Sequence, residues 1–189
     1  MNNFENDINN SLRILHSGGI ILYPTDTIWG IGCDASNADA VKKIYRLKKR
    51  EEKKSMIIMV SDEKMISDYV SNPSQKILSF LSVQKRPTTA IFENAINLPT
   101  QLINENGSIA IRIVKDIFCQ QLIRQLKKPL VSTSANISGE TYPQNFKQIS
   151  DEIKNGVDYI IQHRQNDFET NTPSSIIKLD SKGEIEIIR

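Results

Sequence analysis

The chain is poor in the residues that most often announce a site. Its two cysteines, Cys33 and Cys119, lie far apart in 189 residues and make neither a disulfide framework nor a zinc site. Two histidines, His16 and His163, are too few for a His/Cys metal cluster. The longest apolar runs are about five residues, far short of the ~20 that a membrane helix needs. Met1 to Asn10 is polar and acidic, which excludes a signal peptide and points to a cytoplasmic protein with no membrane association. A net charge of +2 and one tryptophan leave no aromatic-plus-basic platform for bulk nucleic-acid binding. No GxxxxGK[ST], GxGxxG, GxSxG or HExxH occurs.

A hydrophobic content of 39% and 24% charged residues fit a globular protein, and no repeat or linker divides it. One domain spanning residues 1–189 is the expectation. Ile8, Leu12 and Leu15 predict a helix stopped at Gly18-Gly19. Ile20–Tyr23 predicts a buried strand. Ser36 or Asn37 can cap a second helix with Ala40, Val41, Ile44 and Leu47 as its apolar stripe. Strands are expected at Met56–Val60, Thr88–Phe92, Ser108–Ile113, from Pro129, and at Val157–Ile161. Helices are expected at 62–70, 74–83, 116–126 and through Phe146, Ile149 and Ile153. Two last strands, Ser174–Leu179 and Glu184–Ile188, flank a turn at Lys182-Gly183. This order predicts an α/β layer with a mixed sheet.

Three segments are chemically unusual. Residues 23–32, Tyr-Pro-Thr-Asp-Thr-Ile-Trp-Gly-Ile-Gly, leave a buried strand with two hydroxyls, a carboxylate and the only Trp. They suit a ligand loop, or a turn in which Asp26 bonds its own backbone and Trp29 fills the core. Residues 42–54 hold eight Lys/Arg against two Glu, a local charge of +6 that leaves −4 for the rest of the chain. If the second helix continues, Lys48 and Arg50 extend its buried face and need an anionic partner; otherwise the run is a solvated helix end. Residues 129–139, Pro-Leu-Val-Ser-Thr-Ser-Ala-Asn-Ile-Ser-Gly, run a strand into four hydroxyls and an amide. They suit an anion or a self-bonded polar turn.

In this order the segments YPTDTIWGIGCD, LKKREEKKSMIIMV, SIAIR and PLVSTSANISG resemble the YrdC family of threonylcarbamoyl-AMP synthases. The resemblance runs from about Gly19 to Ser138, with a weaker trace to the C-terminus. It implies a single-domain, twisted, open mixed sheet flanked by helices around a concave basic cavity. It implies L-threonine, bicarbonate and ATP as substrates, Mg²⁺ accompanying the ATP, and threonylcarbamoyl-AMP and pyrophosphate as products. A downstream threonylcarbamoyl transferase complex then modifies tRNA, and weak direct tRNA contact is compatible with this. The family's Lys-x-Arg falls on Lys48 and Arg50 and its Ser-x-Asn on Ser134 and Asn136, the expected catalytic set. Thr27, Arg112 and Ser132 fall on threonine-binding positions. Lys54, Ser108 and Arg189 join Lys48, Arg50, Ser134 and Asn136 on the nucleotide side.

The chain departs from the family pattern at Glu51, where Pro usually follows Lys-x-Arg, and at Lys54, Met59 and Tyr142, where some members carry Asn, His and Ser. Lys85-Arg86-Pro87-Thr88-Thr89 stands for a Trp-Pro-Gly-Pro stretch. The length matches members without an extra C-terminal domain. The competing readings are a paralogue with another acceptor and a non-catalytic RNA-binding protein.

Overall fold

The structure, a computed structural model, describes residues 4–52, 54–167 and 172–189. Among the described residues, nine strands form one sheet: β1 Ile21–Tyr23, β2 Gly30–Gly32, β3 Ile57–Val60, β4 Thr88–Phe92, β5 Ile109–Ile113, β6 Leu130–Ser134, β7 Tyr159–Ile160, β8 Ser175–Leu179 and β9 Ile185–Ile187. Their spatial order is β7-β1-β2-β6-β3-β5-β4-β8-β9. Three pairs are parallel (β1–β7, β3–β5, β4–β8) and the others antiparallel, so the sheet is mixed as expected.

Strand alternation buries both faces. Leu22, Ile31, Ile58, Val60 and Val131 point into one apolar cluster. Ile21, Tyr23, Met59 and Leu130 point into the other. The second cluster is covered by α1 (Glu5–His16) and α4 (Ile117–Leu126), and the first by α2 (Ala38–Leu47), α3 (Gln75–Val83) and α5 (Asp151–Gly156). Each fully buried aliphatic side chain contributes roughly 1.5–3 kcal/mol.

The caps explain several boundaries. Asn37, not Ser36, caps α2 by accepting from the Asp39 and Ala40 amides. Asp116 caps α4 through the Cys119 amide. Gly18 follows α1 at φ 73°, the left-handed stop its glycine allows.

Three expectations are corrected. The helix expected at 62–70 is a short 3-10 segment, Lys64–Asp68. Residues 146–156 split into 3-10 Phe146–Gln148 and α5, because Ser150 caps a new start by accepting from the Ile153 amide. Strand β2 lies inside the segment read as a loop; Gly32 admits it by leaving room for the Tyr23 ring and the Val131 carbonyl, which an added Cβ would meet at 2.7 and 2.5 Å.

Candidate active site

Strand β6 lies between β2 and β3. Leu130–Ser132 are in register with β3 and Thr133 and Ser134 with β2, and the Val131 amide also donates to the Cys33 carbonyl just beyond β2. Where these three strands meet lies a cavity of about 310 Å³. Its described walls include Thr27, Trp29 and Gly30; Arg50, Ser55 and Ile57; Arg112; Ser132, Thr133 and Ser134; Tyr142; and Ser174 and Arg189. Among the described residues, three arginines reach it from three separate segments, and no Asp or Glu lines it.

Arg112 stands on β5 and is 3% exposed. One of its terminal nitrogens donates to Thr27 Oγ1 at 3.1 Å, and the other lies 3.0 Å from Met59 Sδ and 3.3 Å from Asp26 Oδ1. Thr27 is held from below. Its amide donates to Thr25 Oγ1 at 2.9 Å, and the Thr25 hydroxyl donates to the Ile28 carbonyl. Local bonding in this loop therefore falls to Thr25, whereas Asp26 reaches across to Arg112. Trp29 is both core and wall, its ring tilted against Phe146 with centroids 4.9 Å apart.

The basic run arrives differently from the continued helix. α2 ends at Leu47, Lys48 is its C-cap, and Lys49 takes φ 50°. The Lys49 amide donates to the Arg46 carbonyl and the Arg50 amide to the Tyr45 carbonyl, a Schellman turn with lysine where glycine is usual. Lys48 stays on the buried face, 1% exposed. Its Nζ donates to the backbone carbonyls of Ser134 and Asn136, the latter at 2.6 Å. Burial first, then the charge of Arg50, pull its ammonium down to about 7. Arg50 emerges beyond the turn on the cavity wall. It donates to the Lys54 and Ser55 carbonyls at 2.8 and 3.0 Å.

The run as a whole does not surround the cavity. Lys42, Lys49 and Lys54 pair with Asp39, Glu152 and Glu51, and Lys43 donates to the Gly18 carbonyl. Its contribution to the wall is Arg50, with Lys48 behind the loop that follows β6. Lys53 lies outside the described residues.

Of the expected site residues, Thr27, Arg50, Arg112, Ser132, Ser134 and Arg189 line the cavity. Lys48, Lys54, Ser108 and Asn136 do not. Asn136 donates to the Ile137 and Glu140 carbonyls, and its Oδ1 is buried with no hydrogen-bond partner. Ser108 borders a second cavity of about 150 Å³. It still connects inward: Asn104 Nδ2 donates to Ser108 Oγ at 2.9 Å, and Ser55 Oγ donates to Asn104 Oδ1 at 2.7 Å.

Ser55 and Ser174 are wall residues that sequence reasoning missed. Both lie just before an inner strand, β3 and β8. Ser174 also anchors Arg189, whose Nε and Nη2 donate to the Ser174 carbonyl at 3.3 and 3.1 Å.

Among the described residues no group of three or more His, Cys, Asp or Glu could hold a metal ion. Nor is any helix long and apolar enough to cross a membrane.

An open mixed sheet with a cavity walled by hydroxyls and guanidiniums, which suit anionic oxygens, places the chain in an α/β class without a P-loop. The chain belongs to the Sua5/YciO/YrdC family, whose model, described as telomere recombination, matches residues 13–189. It is 33% identical to the threonylcarbamoyl-AMP synthase of Hydrogenovibrio crunogenus over 68% of this chain and 71% of that one. It is 30% identical to that of Coxiella burnetii over 86% and 88%. Among solved structures it resembles E. coli YciO, with TM-score 0.79, 25% identity and coverage of 97% and 88%. It also resembles P. abyssi Sua5 solved with L-threonine, with TM-score 0.84, 20% identity and coverage of 96% of this chain. The chain spans about half, 53%, of that Sua5 chain.

Proposed function

We propose that this protein is an L-threonylcarbamoyladenylate synthase, which joins L-threonine, bicarbonate and ATP and releases pyrophosphate. The observation that carries the reading is the cavity beside β2, β3 and β6, which gathers Thr27, Arg112, Ser132, Ser134, Arg50 and Arg189 from separate segments.

The substrates are anions, so the protein's task is to bring like charges together and orient them. Arg112 and Thr27 would hold the threonine carboxylate and a neighbouring polar group, with Ser132 beside them. Arg50, Arg189 and Ser134 would meet the nucleotide. Lys48 and Asn136 would act from behind, fixing the loop that carries Ser134. The threonine amine condenses with bicarbonate, releasing water, to give the carbamate. A carbamate oxygen then attacks the α-phosphorus, and the bond to pyrophosphate breaks. No side chain has to act as a covalent nucleophile. The wall donors suit phosphate oxygens, so Mg²⁺ would enter on the triphosphate, where it would screen charge. The product, a mixed anhydride, would pass to a transferase that modifies tRNA.

The test is release of pyrophosphate from ATP with threonine and bicarbonate, against serine and no-amino-acid controls. Threonine-dependent turnover supports the proposal; turnover indifferent to the amino acid overturns it. A second reading, a paralogue with another acceptor, draws on Tyr142, which occupies the wall where some relatives carry serine. Preference for another acceptor in the same assay would favour it.

A further inference from the structure

We infer that Asp26 is a positioning residue for the amino-acid substrate, setting the tilt of the Arg112 guanidinium from outside the cavity. The inference rests on the synthase reading above.

Asp26 is not on the wall of the main cavity; it borders a neighbouring one of about 400 Å³. It therefore acts through Arg112. Among the described residues it is the carboxylate paired with that buried guanidinium. Its Oδ1 lies 3.3 Å from the guanidinium without an aligned hydrogen bond, and its Oδ2 accepts from the Lys115 amide at 3.3 Å. Lys115 lies just beyond β5, the strand that carries Arg112. Asp26 thus braces the guanidinium against the continuation of its own strand.

The brace is itself fixed. The Thr25 carbonyl accepts from Arg164 at 3.0 Å, and the Pro24 carbonyl accepts from Cys119 Sγ at 3.3 Å. Thr27 takes one terminal nitrogen of Arg112 and Met59 touches the other, while Nε is buried without a partner. A carboxylate ligand needs two parallel N–H donors in one plane. Asp26 supplies both the charge that keeps the guanidinium at this depth and one of the contacts that set the plane.

Asp26→Asn and Asp26→Glu in the full chain test this. Pyrophosphate release is measured with threonine varied at saturating ATP and bicarbonate, then with ATP varied at saturating threonine. Asp26→Asn should raise the threonine KM about tenfold or more and leave the ATP KM within about twofold. Asp26→Glu, which keeps the charge but shifts the guanidinium, should raise the threonine KM about threefold. It carries the test alone if the Asn variant does not fold. An unchanged or lowered threonine KM, or threonine and ATP KM values rising together, overturns the inference while leaving the synthase reading standing. Wild-type turnover without threonine dependence overturns the synthase reading, and this inference falls with it.

Discussion

The Lys48 ammonium stands 2.6 Å from the carbonyl oxygen of Asn136, with the Ser134 carbonyl as its second acceptor. A residue expected at the phosphates is instead a strut beneath the loop that would receive them. Lys48→Met removes two charge-assisted bonds but also removes the cost of keeping an ammonium dry. These effects oppose each other, so unfolding free energy should move by only about 1 kcal/mol. Pyrophosphate release should still fall about 100-fold, because the loop loses its fixed geometry. Denaturant titration and turnover of the same sample check both halves.

The depressed Lys48 value, about 7, couples ligand binding to protons. At pH 8 the free site holds this group mostly neutral, and an arriving triphosphate favours the charged form. ATP binding should therefore take up a proton, approaching about one per ATP. Calorimetry in buffers of different ionisation enthalpy measures it; no uptake would place Lys48 beyond the reach of the phosphates. The sign for stability follows from the same value. Between about 7 and the ordinary lysine value of 10.5 the unfolded chain holds more protons. This group's contribution therefore grows as pH rises through that window and is lost as pH falls through it.

Arg50→Ala should lower kcat/KM for ATP about 100-fold, a loss near 2.7 kcal/mol of transition-state stabilisation. The side chain also donates to the Lys54 and Ser55 carbonyls, so part of the loss reflects a loosened wall. Arg50→Lys keeps the charge and separates the two contributions: recovery of most activity would assign the role to charge alone.

Arg112→Lys should raise the threonine KM about tenfold or more while the ATP KM changes little, since lysine cannot offer a planar pair of donors. Equal loss for both substrates would move Arg112 to the nucleotide side.

Gly32→Ala should destabilise the fold by about 1–3 kcal/mol. An added Cβ meets the Val131 carbonyl at 2.5 Å and the Tyr23 ring at 2.7 Å, and neither can retreat from the sheet. A thermal midpoint equal to that of the wild type would show that β2 and β6 can part without cost.

Strong periodic segments were legible in the sequence. Thr88–Phe92 and the 74–83 helix were read almost to the residue, because alternation and capping agree there. Gly30–Gly32 was not, since a strand of two glycines around one isoleucine carries no β-propensity of its own; it pairs because β1 and β6 flank it. The site was half legible. Hydroxyls and guanidiniums marked the segments, but charge density misled. The lysines at 42–54 are spent largely on local partners, while Arg112 and Arg189 reach the cavity from stretches with no basic excess. That Arg50 leaves the helix line for the cavity wall depends on a left-handed turn at Lys49, which no side-chain pattern encodes.

Strand β6 pairs with β2 on one side and β3 on the other, and so it alone joins β7-β1-β2 to β3-β5-β4-β8-β9. Its pairings with β2 and β3 each close a long stretch of chain, and so do β1 with β7 and β4 with β8 in the two flanking groups, so the sheet is completed as one unit and not from preformed halves. Completing the sheet should be the slow step of folding, with the Leu130–Ser134 amides, which lie between two neighbouring strands, among the last to exchange with solvent. The same closure creates the cavity, which ties the appearance of any ligand-binding capacity to the final cooperative step and leaves no partly folded state able to bind.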